Sequence, residues 1–401
     1  MSVSQNFPDE GPSLSLNFAG AEKLDSRITF TRSSTGTYLD RSGLVVTAPA
    51  NSPRFDHSYN GSNVESLGLL IEESRTNLLL RSQDLLTAPN ASASGLSNFF
   101  TSAIDALPSP SGSTNETVKF VSTSTTSEGL FLRQTGLSLT ATTYTVSMYV
   151  YVPTQSGITN WGMVWDFADS VDFVEITNQT IFDRWVRISG TLTLTSTRSF
   201  LDFNVRINNV APTAAGFTIY AWGVQVEAGA FPTSYIPTVA STVTRSADNA
   251  SITGTNFSSW YNSTEYTLFS SARTFQITSY PAVVSINDGT INNVSSLFFD
   301  PSVPRGAAYW RNSGSQYGFN GATLSSISNT NTKMILAVKT NDWGFAQNGS
   351  SQAYTTGYGV VPTGVTRLTI GNGDTALNGT ISQLIYYPRR LTNTQLQNLT
   401  K

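Results

Sequence analysis

Side chains able to do acid–base or metal chemistry are few in this chain. His57 is the sole histidine and there is no cysteine, so thiolate nucleophiles, disulfides, cysteine-rich zinc sites and multi-histidine metal centres are excluded by counting. His57 sits in Phe55-Asp56-His57-Ser58 with no nucleophile signature beside it, and reads as a structural or solvent-facing residue. Carboxylates remain. Glycoside hydrolysis needs only two of them, about 5 to 9.5 Å apart, and Asp166, Asp169, Asp172 and Glu175 crowd one aromatic-laced segment. Crowding along a segment is not convergence, and no Glu-x-Asp-x-x-Glu pattern sets acids along one strand face. The expectation is no catalytic residue, no metal ligand set and no required cofactor. Calcium, which takes oxygen ligands, is the ion those four acids would suit, whereas Asp288, Asp300 and Asp342 follow no calcium-loop spacing.

Sugar binding fits the residue types better. A pyranose offers an apolar face to an aromatic ring and hydroxyls to amides and carboxylates. Trp161 and Trp165 lie beside Asn160 and Asp166, and Tyr309 and Trp310 beside Arg311 and Asn312. The candidate glycan-binding residues are therefore Trp161, Trp165, Asp166, Tyr309, Trp310 and Asn312, with sandwich core as the plainer alternative for each aromatic pair. Trp222, inside an alternating strand, and Trp343, near the Asn348-Gly349 turn, read as core.

The elements that must carry these residues are strands. Hydrophobic residues make up 39% of 401, with 22 Phe, 16 Tyr and 7 Trp, against 12% charged residues. That balance excludes a disordered chain and argues against a helical bundle, whose wet faces need more charge. The length calls for more than one core. A net charge of -3 with scattered basic residues gives no nucleic-acid footprint, and no apolar run is long enough to insert in a membrane. The start of the chain, with Asp9 and Glu10, does not read as a secretion signal. Asn-x-Ser/Thr matches at Asn115, Asn262, Asn348 and Asn378 are what so Asn- and Ser/Thr-rich a chain yields by chance.

Residues 1–85 read as an irregular, β-rich segment, with Leu67 to Leu80 as its most charged part, docked onto the next domain and carrying a short helical turn. Thr87 to Ser113 reads as loop or a loosely held strand crossing a surface. Period-2 alternation then runs from about Glu116 to Val226, breaks at Gly229 to Ser251 around Pro232 and Pro237, and resumes from Tyr266 to Tyr387. Asp288-Gly289, Asn320-Gly321, Asn348-Gly349 and Asn378-Gly379 mark tight turns. A short C-terminal helix follows, with Leu391, Leu396 and Leu399 on one side. The fold class is all-β: two antiparallel jelly-roll sandwiches, 86–240 and 241–401, preceded by the N-terminal segment.

One composite motif stands apart from this patterning. It runs Asp25-Ser26-Arg27-Ile28-Thr29-Phe30-Thr31-Arg32-Ser33-Ser34-Thr35-Gly36-Thr37-Tyr38, then Asn51-Ser52-Pro53-Arg54-Phe55-Asp56, then Gly68-Leu69-Leu70-Ile71-Glu72-Glu73-Ser74-Arg75-Thr76-Asn77-Leu78-Leu79. It resembles a motif of tailed-bacteriophage virion surface proteins of the fibre or head-decoration type. The block ending Trp222-Gly223-Val224-Gln225-Val226-Glu227-Ala228-Gly229 resembles carbohydrate-binding jelly rolls. The last block, with Trp343-Gly344-Phe345 and Leu377-Asn378-Gly379, is similar to concanavalin- or laminin-G-like sandwiches.

The resemblance implies a virion structural protein, a short fibre or knob that contributes to host glycan recognition or adsorption. The alternatives are a purely structural head-decoration or tail-adaptor protein and, further off, a polysaccharide-cleaving enzyme. It also implies a homo-oligomer, with a trimer favoured, partnered by other virion proteins and by host surface polysaccharide. Its place would be the particle surface, after assembly in the host cytoplasm. No heptad run supports the oligomer independently. Arg27, Arg32, Arg54, Glu72, Glu73 and Arg75 can form planar guanidinium–carboxylate pairs. They are expected either to dock the N-terminal segment onto the first sandwich or a neighbouring subunit, or simply to hold it as a peripheral extension.

Overall fold

The computed structural model describes residues 8, 11–59, 62–87, 100–123, 130–167, 171–208, 215–275, 279–302, 305–320, 329–356, 359–373 and 375–401. Among them the chain is all-β, with antiparallel pairing in every sheet. No helix among these residues is long and apolar enough to cross a membrane.

In the middle of the chain a five-stranded sheet has the order Trp185–Thr193, Thr143–Tyr151, Thr218–Ala228, Thr117–Ser122, Phe100–Asp105. A four-stranded sheet has the order Leu130–Leu139, Arg198–Ile207, Trp161–Asp166, Phe173–Gln179. Alternate side chains of the first, Val146, Met148 and Val150, meet alternate side chains of the second, Trp161, Met163 and Trp165 with Leu201, Phe203 and Val205, in one apolar cluster. Period-2 alternation thus assigns the remaining residues of each strand to an outer face.

The other two large sheets share a second core. One runs Thr29–Thr31, Asn249–Thr253, Arg367–Ile370, Ala282–Asn287, Val294–Asp300, Arg305–Asn312, Ser315–Asn320. Its partner runs Ser350–Thr356, Asp342–Gln347, Thr332–Lys339, Glu265–Thr274, Gly379–Tyr387, Val64–Ile71, Phe55–Tyr59, with Leu14–Asn17 also against Gly379–Tyr387. Leu14, Leu16, Phe30, Leu69 and Ile71 lie in the same cluster as Leu336, Phe345, Leu368 and Tyr386.

Strands Leu14–Asn17, Thr29–Thr31, Phe55–Tyr59 and Val64–Ile71 are therefore built into the C-terminal sheets, where the sequence suggested a segment docked on the first sandwich or a neighbouring subunit. Their short apolar alternations are too small to enclose a core alone, and they complete one whose other strands come from beyond residue 249. The hairpin Gly36–Leu39/Val45–Ala48 packs instead on the middle sheets. The helical turn expected between Leu67 and Leu80 is absent. Strands Val64–Ile71 and Arg75–Asn77 occupy that stretch, because Leu69 and Ile71 reach the core only with two-residue spacing. Thr87 to Ser113, expected as loop or a loosely held strand, contains strand Phe100–Asp105, anchored by the buried ring of Phe100; residues 88–99 lie outside the described residues. The chain leaves for the middle sheets at Arg75–Asn77 and returns at Val243–Arg245, and these two strands pair side by side.

Asn348 and Gly349 both have positive φ and form the two-residue turn of a hairpin. Gly321, from another expected turn, lies outside the described residues. Helix Asn393–Leu399 carries a full capping box, with Thr392 Oγ1 accepting from Gln395 N and Gln395 Oε1 accepting from Thr392 N. Helical turns Phe18–Ala21 and Thr255–Ser258 were not expected.

Gly68 has φ +95°, and a Cβ on it would collide with the Ile381 carbonyl across the sheet. Gly68→Ala is expected to lower unfolding free energy by about 2–4 kcal/mol, read by denaturant titration. An unchanged midpoint would contradict this strand pairing.

Candidate functional site

The structure disperses the residues that the sequence offered for sugar contact. Trp161, Trp165 and Trp310 are 1%, 0% and 1% exposed. They share strand parity with core residues, so their rings cannot reach a ligand on the surface. Trp222 and Trp343 are buried as well. Tyr309 is half-buried, packed edge-on against Phe298 with the Arg311 guanidinium 5.4 Å above its ring. Asn312 holds a loop, its Oδ1 accepting from Thr363 N at 2.9 Å and Thr363 Oγ1 at 3.0 Å.

Asp166 does face outward, half-buried, between Asp202 and Phe173 on the neighbouring strands. Asp202 is clamped by the Arg133 fork through two bonds of 2.5 Å. Asp172 accepts from Arg198 Nε at 2.6 Å and from Thr195, Glu175 lies 3.7 Å from Arg206, and Asp169 lies outside the described residues. Asp288 ties its own turn, while Asp300 and Asp342 pair with Arg305 and Arg390. Among the described residues no three His, Asp or Glu side chains gather as a metal-holding group.

Three of the six motif residues, Arg32, Arg54 and Glu72, condense with Arg245 and Asp248 into an ion cluster closed to solvent. Arg54 precedes strand Phe55–Tyr59, Glu72 follows Val64–Ile71, and Arg245 and Asp248 flank the return from the middle sheets. Arg54 Nη1 lies 2.7 Å from Glu72 Oε2 and its Nη2 bonds Asp248 Oδ2, while Arg32 Nη1 reaches Asp248 Oδ1 at 3.0 Å. Arg245 Nε stands 3.4 Å from Glu72 Oε2. Ser234 donates to Glu72 through both N and Oγ at 2.7 Å. Arg75 and Glu73 pair at 2.6 Å, with Arg75 4.6 Å over the Phe231 ring, and Arg27 pairs with nearby Asp25.

Burial alone would raise the Glu72 carboxyl, but the guanidinium groups of Arg245 and Arg54 and the Ser234 bonds hold it near 2. Asp56 is pushed up to about 6, mainly by burial and then by Glu72, against the bond from Leu39 N. Although the residue as a whole is half-buried, its carboxyl is enclosed. With Arg32, Arg54, Arg245, Glu72 and Asp248 each at 1% exposure or less, the cluster staples chain segments and offers nothing to a ligand.

A surface suited to a ligand lies on the outer face of the five-stranded sheet. Register places Trp185 opposite Tyr151, Tyr151 opposite Tyr220, and Tyr220 opposite Lys119 in one cross-strand row. All four are half-buried. The Trp185–Tyr151 and Tyr151–Tyr220 centroids are 5.8 and 5.6 Å apart in edge-to-face contact, and Lys119 Nζ is 5.9 Å from the Tyr220 ring centre. The Trp185 indole N–H donates to the Pro108 carbonyl at 2.9 Å, so the segment after Phe100–Asp105 fixes this ring. Burial raises both phenols first, and Asp183 beside Tyr151 and Asp105 beside Tyr220 add to it.

The adjoining outer-face residues Tyr149 and Trp222 are covered, packed with Tyr235 and with Val45 of the hairpin Gly36–Leu39/Val45–Ala48. Trp185 borders that covered cluster, and Tyr151, Tyr220 and Lys119 continue the row across the neighbouring strands. The sequence held a signal for it: Tyr151 and Tyr220 share the parity of Tyr149 and Trp222, opposite to the core residues Val150 and Ala221. A cleft of about 420 Å³ lies elsewhere, lined by Glu265, Lys339, Asp342, Arg390 and Thr392–Thr394. Its charges largely satisfy one another, Lys339 facing Glu265 at 3.7 Å and Arg390 facing Asp342 at 3.1 Å.

No family model and no curated protein matches the sequence. Among solved structures, the CBM40 of Ruminococcus gnavus IT-sialidase overlaps 36% of this chain and 88% of its own, at 15% identity and TM-score 0.32. Domain 4 of AbnA, a GH43 extracellular arabinanase from Geobacillus stearothermophilus, solved with arabinotriose, overlaps 39% of this chain and 73% of its own, at 17% identity and TM-score 0.33. The NanB sialidase from Streptococcus pneumoniae, solved as its K499G mutant, overlaps 37% of this chain and 26% of its own, at 15% identity and TM-score 0.32.

Two titrations should mark the ion cluster. Glu72 has a depressed folded pKa, so its stabilisation is complete above 4.5 and disappears as pH falls towards 2. Asp56 has a raised one, so its contribution is complete below 3.8 and lost as pH rises through about 6. Asp56→Asn should therefore raise the melting temperature at pH 8 more than at pH 4, and equal shifts would refute its enclosure. Arg54→Met should cost about 3–5 kcal/mol, since it takes one guanidinium partner from each of two buried carboxylates; a loss under 1 kcal/mol in denaturant titration would contradict the cluster.

Proposed function

We propose that this protein binds glycans without cleaving them, through the Trp185–Tyr151–Tyr220 row, as a surface component of a tailed-bacteriophage particle. The row is the observation that carries the reading. It offers aromatic surface and phenol hydroxyls together, on a sheet whose core fixes the strands and with one ring pinned by a hydrogen bond. A sugar ring meeting it exchanges apolar C–H surface with the rings and hydroxyls with the phenols.

The non-catalytic part is supported by the dispersal of the acids. Asp172, Asp202, Asp300 and Asp342 are each held by an arginine, and the described cleft is lined by groups already paired with one another. The particle-surface part rests on the composite N-terminal motif, and with it go the two jelly-roll modules, a homotrimer, contact with other virion proteins, and adsorption to host polysaccharide. A short fibre or knob is the form proposed.

Trp185→Ala and Tyr151→Ala should each weaken retention on host-envelope polysaccharide about tenfold or more, the order expected when stacking worth about 1.4 kcal/mol is lost. Their melting temperatures should stay close to the parent's. Trp165→Ala should instead unfold the middle sheets. Full retention by both row variants on glycan arrays would remove the row as the site. Antibody labelling of purified particles in the electron microscope tests the location, and a chain absent from washed virions would end the particle reading.

A further inference from the structure

The row also has a direction and a charge environment, and from these we infer that it grips the interior of an extended, uncharged polysaccharide, rather than a chain end or an acidic sugar. This rests on the glycan-binding reading above and specifies its ligand.

The direction follows from the strand order. The row begins at Trp185 on the edge strand Trp185–Thr193, crosses Tyr151 and Tyr220 on the next two strands, passes Lys119, and reaches Ala103 on the opposite edge strand Phe100–Asp105. Ala103 is exposed and small. Among the described residues, a polymer lying across the strands can thus enter over one edge of the sheet and leave over the other. A site for a terminal sugar needs the reverse arrangement, a concave pocket closed on most sides. Contacts spread over successive rings add up along a chain, whereas one sugar can engage a single ring face and its neighbour's edge.

The charge environment argues for an uncharged chain. The charges that act on the two phenols are acidic at both places, Asp183 at Tyr151 and Asp105 at Tyr220. Asp183 is exposed, and Thr154 N and Oγ1, at 2.8 and 2.6 Å, hold its carboxyl below the usual range, so it stays ionised. Asp105 accepts from Leu107 N at 2.9 Å. Lys119 is the cation of the row, and it already lies beside the Tyr220 ring. Arg187, the cation on the adjoining cross-strand row, is engaged by the Tyr149 ring at 5.6 Å and by Ser147 Oγ at 3.0 Å. A uronate or sialate carboxylate would thus face two like charges against two cations that already have partners, and like-charge juxtaposition rejects partners.

Native electrophoresis of the full chain tests this in gels cast with neutral polymers (mixed-linkage β-glucan, xylan, mannan, dextran) and with acidic ones (hyaluronan, polygalacturonate, polysialate). At least one neutral polymer should retard the protein and none of the acidic set should. Calorimetry with one- to six-unit oligomers of the retained polymer should show affinity rising at least tenfold between one and four units. Tyr220→Leu and Trp185→Ala, checked by melting, should abolish that rise. Retardation by an acidic polymer that is lost in those variants overturns the inference and leaves the glycan-binding row standing, as does a single sugar that binds as tightly as its tetramer. Retardation by any polymer that both variants keep, or none by either set, overturns the row and the inference together.

Discussion

The buried ion cluster is the constraint on which the rest of the architecture depends. Five side chains, Arg32, Arg54, Glu72, Arg245 and Asp248, come from four separate stretches and are removed from water together. Isolated, any of them would be costly to bury; together their guanidinium and carboxylate groups share partners, and Ser234 fills remaining acceptor positions on Glu72. Replacing such a set by apolar residues can leave stability intact, so its distinctive contribution here is register. Forks and carboxylates match only when the strands before Arg54, after Glu72 and around Asp248 are correctly placed.

From that anchor the middle sheets follow as a unit whose two edges of chain meet at Arg75–Asn77 and Val243–Arg245. Immediately downstream Asn77 binds the Val224 and Ile236 carbonyls through its Nδ2, and Ser82 bonds Tyr235 Oη. The hairpin Gly36–Leu39/Val45–Ala48 is placed by the same neighbourhood: the Thr37 carbonyl accepts from Arg54 Nη1, and Thr37 Oγ1 donates to the Tyr235 carbonyl. The hairpin then covers Tyr149 and Trp222. The aromatic row borders this covered patch at Trp185, so the hairpin from the N-terminal stretch sets one flank of the row.

Alternation made the strands of the middle block and most of the last legible, because a two-residue period leaves few alternatives once turns such as Asn348-Gly349 bound it. The aromatic site was not legible in the same way. Trp161 and Trp165 stand next to polar residues in sequence, yet Met163 between them shares their parity and goes to the core, taking both with it. Tyr151 and Tyr220 carried the outward parity, but whether an outward aromatic is open or capped depends on the distant residue Val45. The pairing partners of the motif residues were likewise hidden, since Arg54 and Asp248 are 194 residues apart and no local pattern links them. The placement of the first strands escaped for a related reason: Leu14 and Leu16 alternate plainly as a strand, but their partners are Tyr386 and Leu384.

That last pairing sets the order in which the chain can mature during synthesis. Leu14 must wait beside the ribosome until Tyr386 has been made and has left the exit tunnel, while strands Phe100–Asp105 through Thr218–Ala228 have all their sheet partners among themselves. The middle sheets can close first, holding Arg75–Asn77 near Val243–Arg245 and shortening the loop that the two ends must still span. The usual sequence of N-terminal structure first is then reversed: the earliest strands made are among the last to be used.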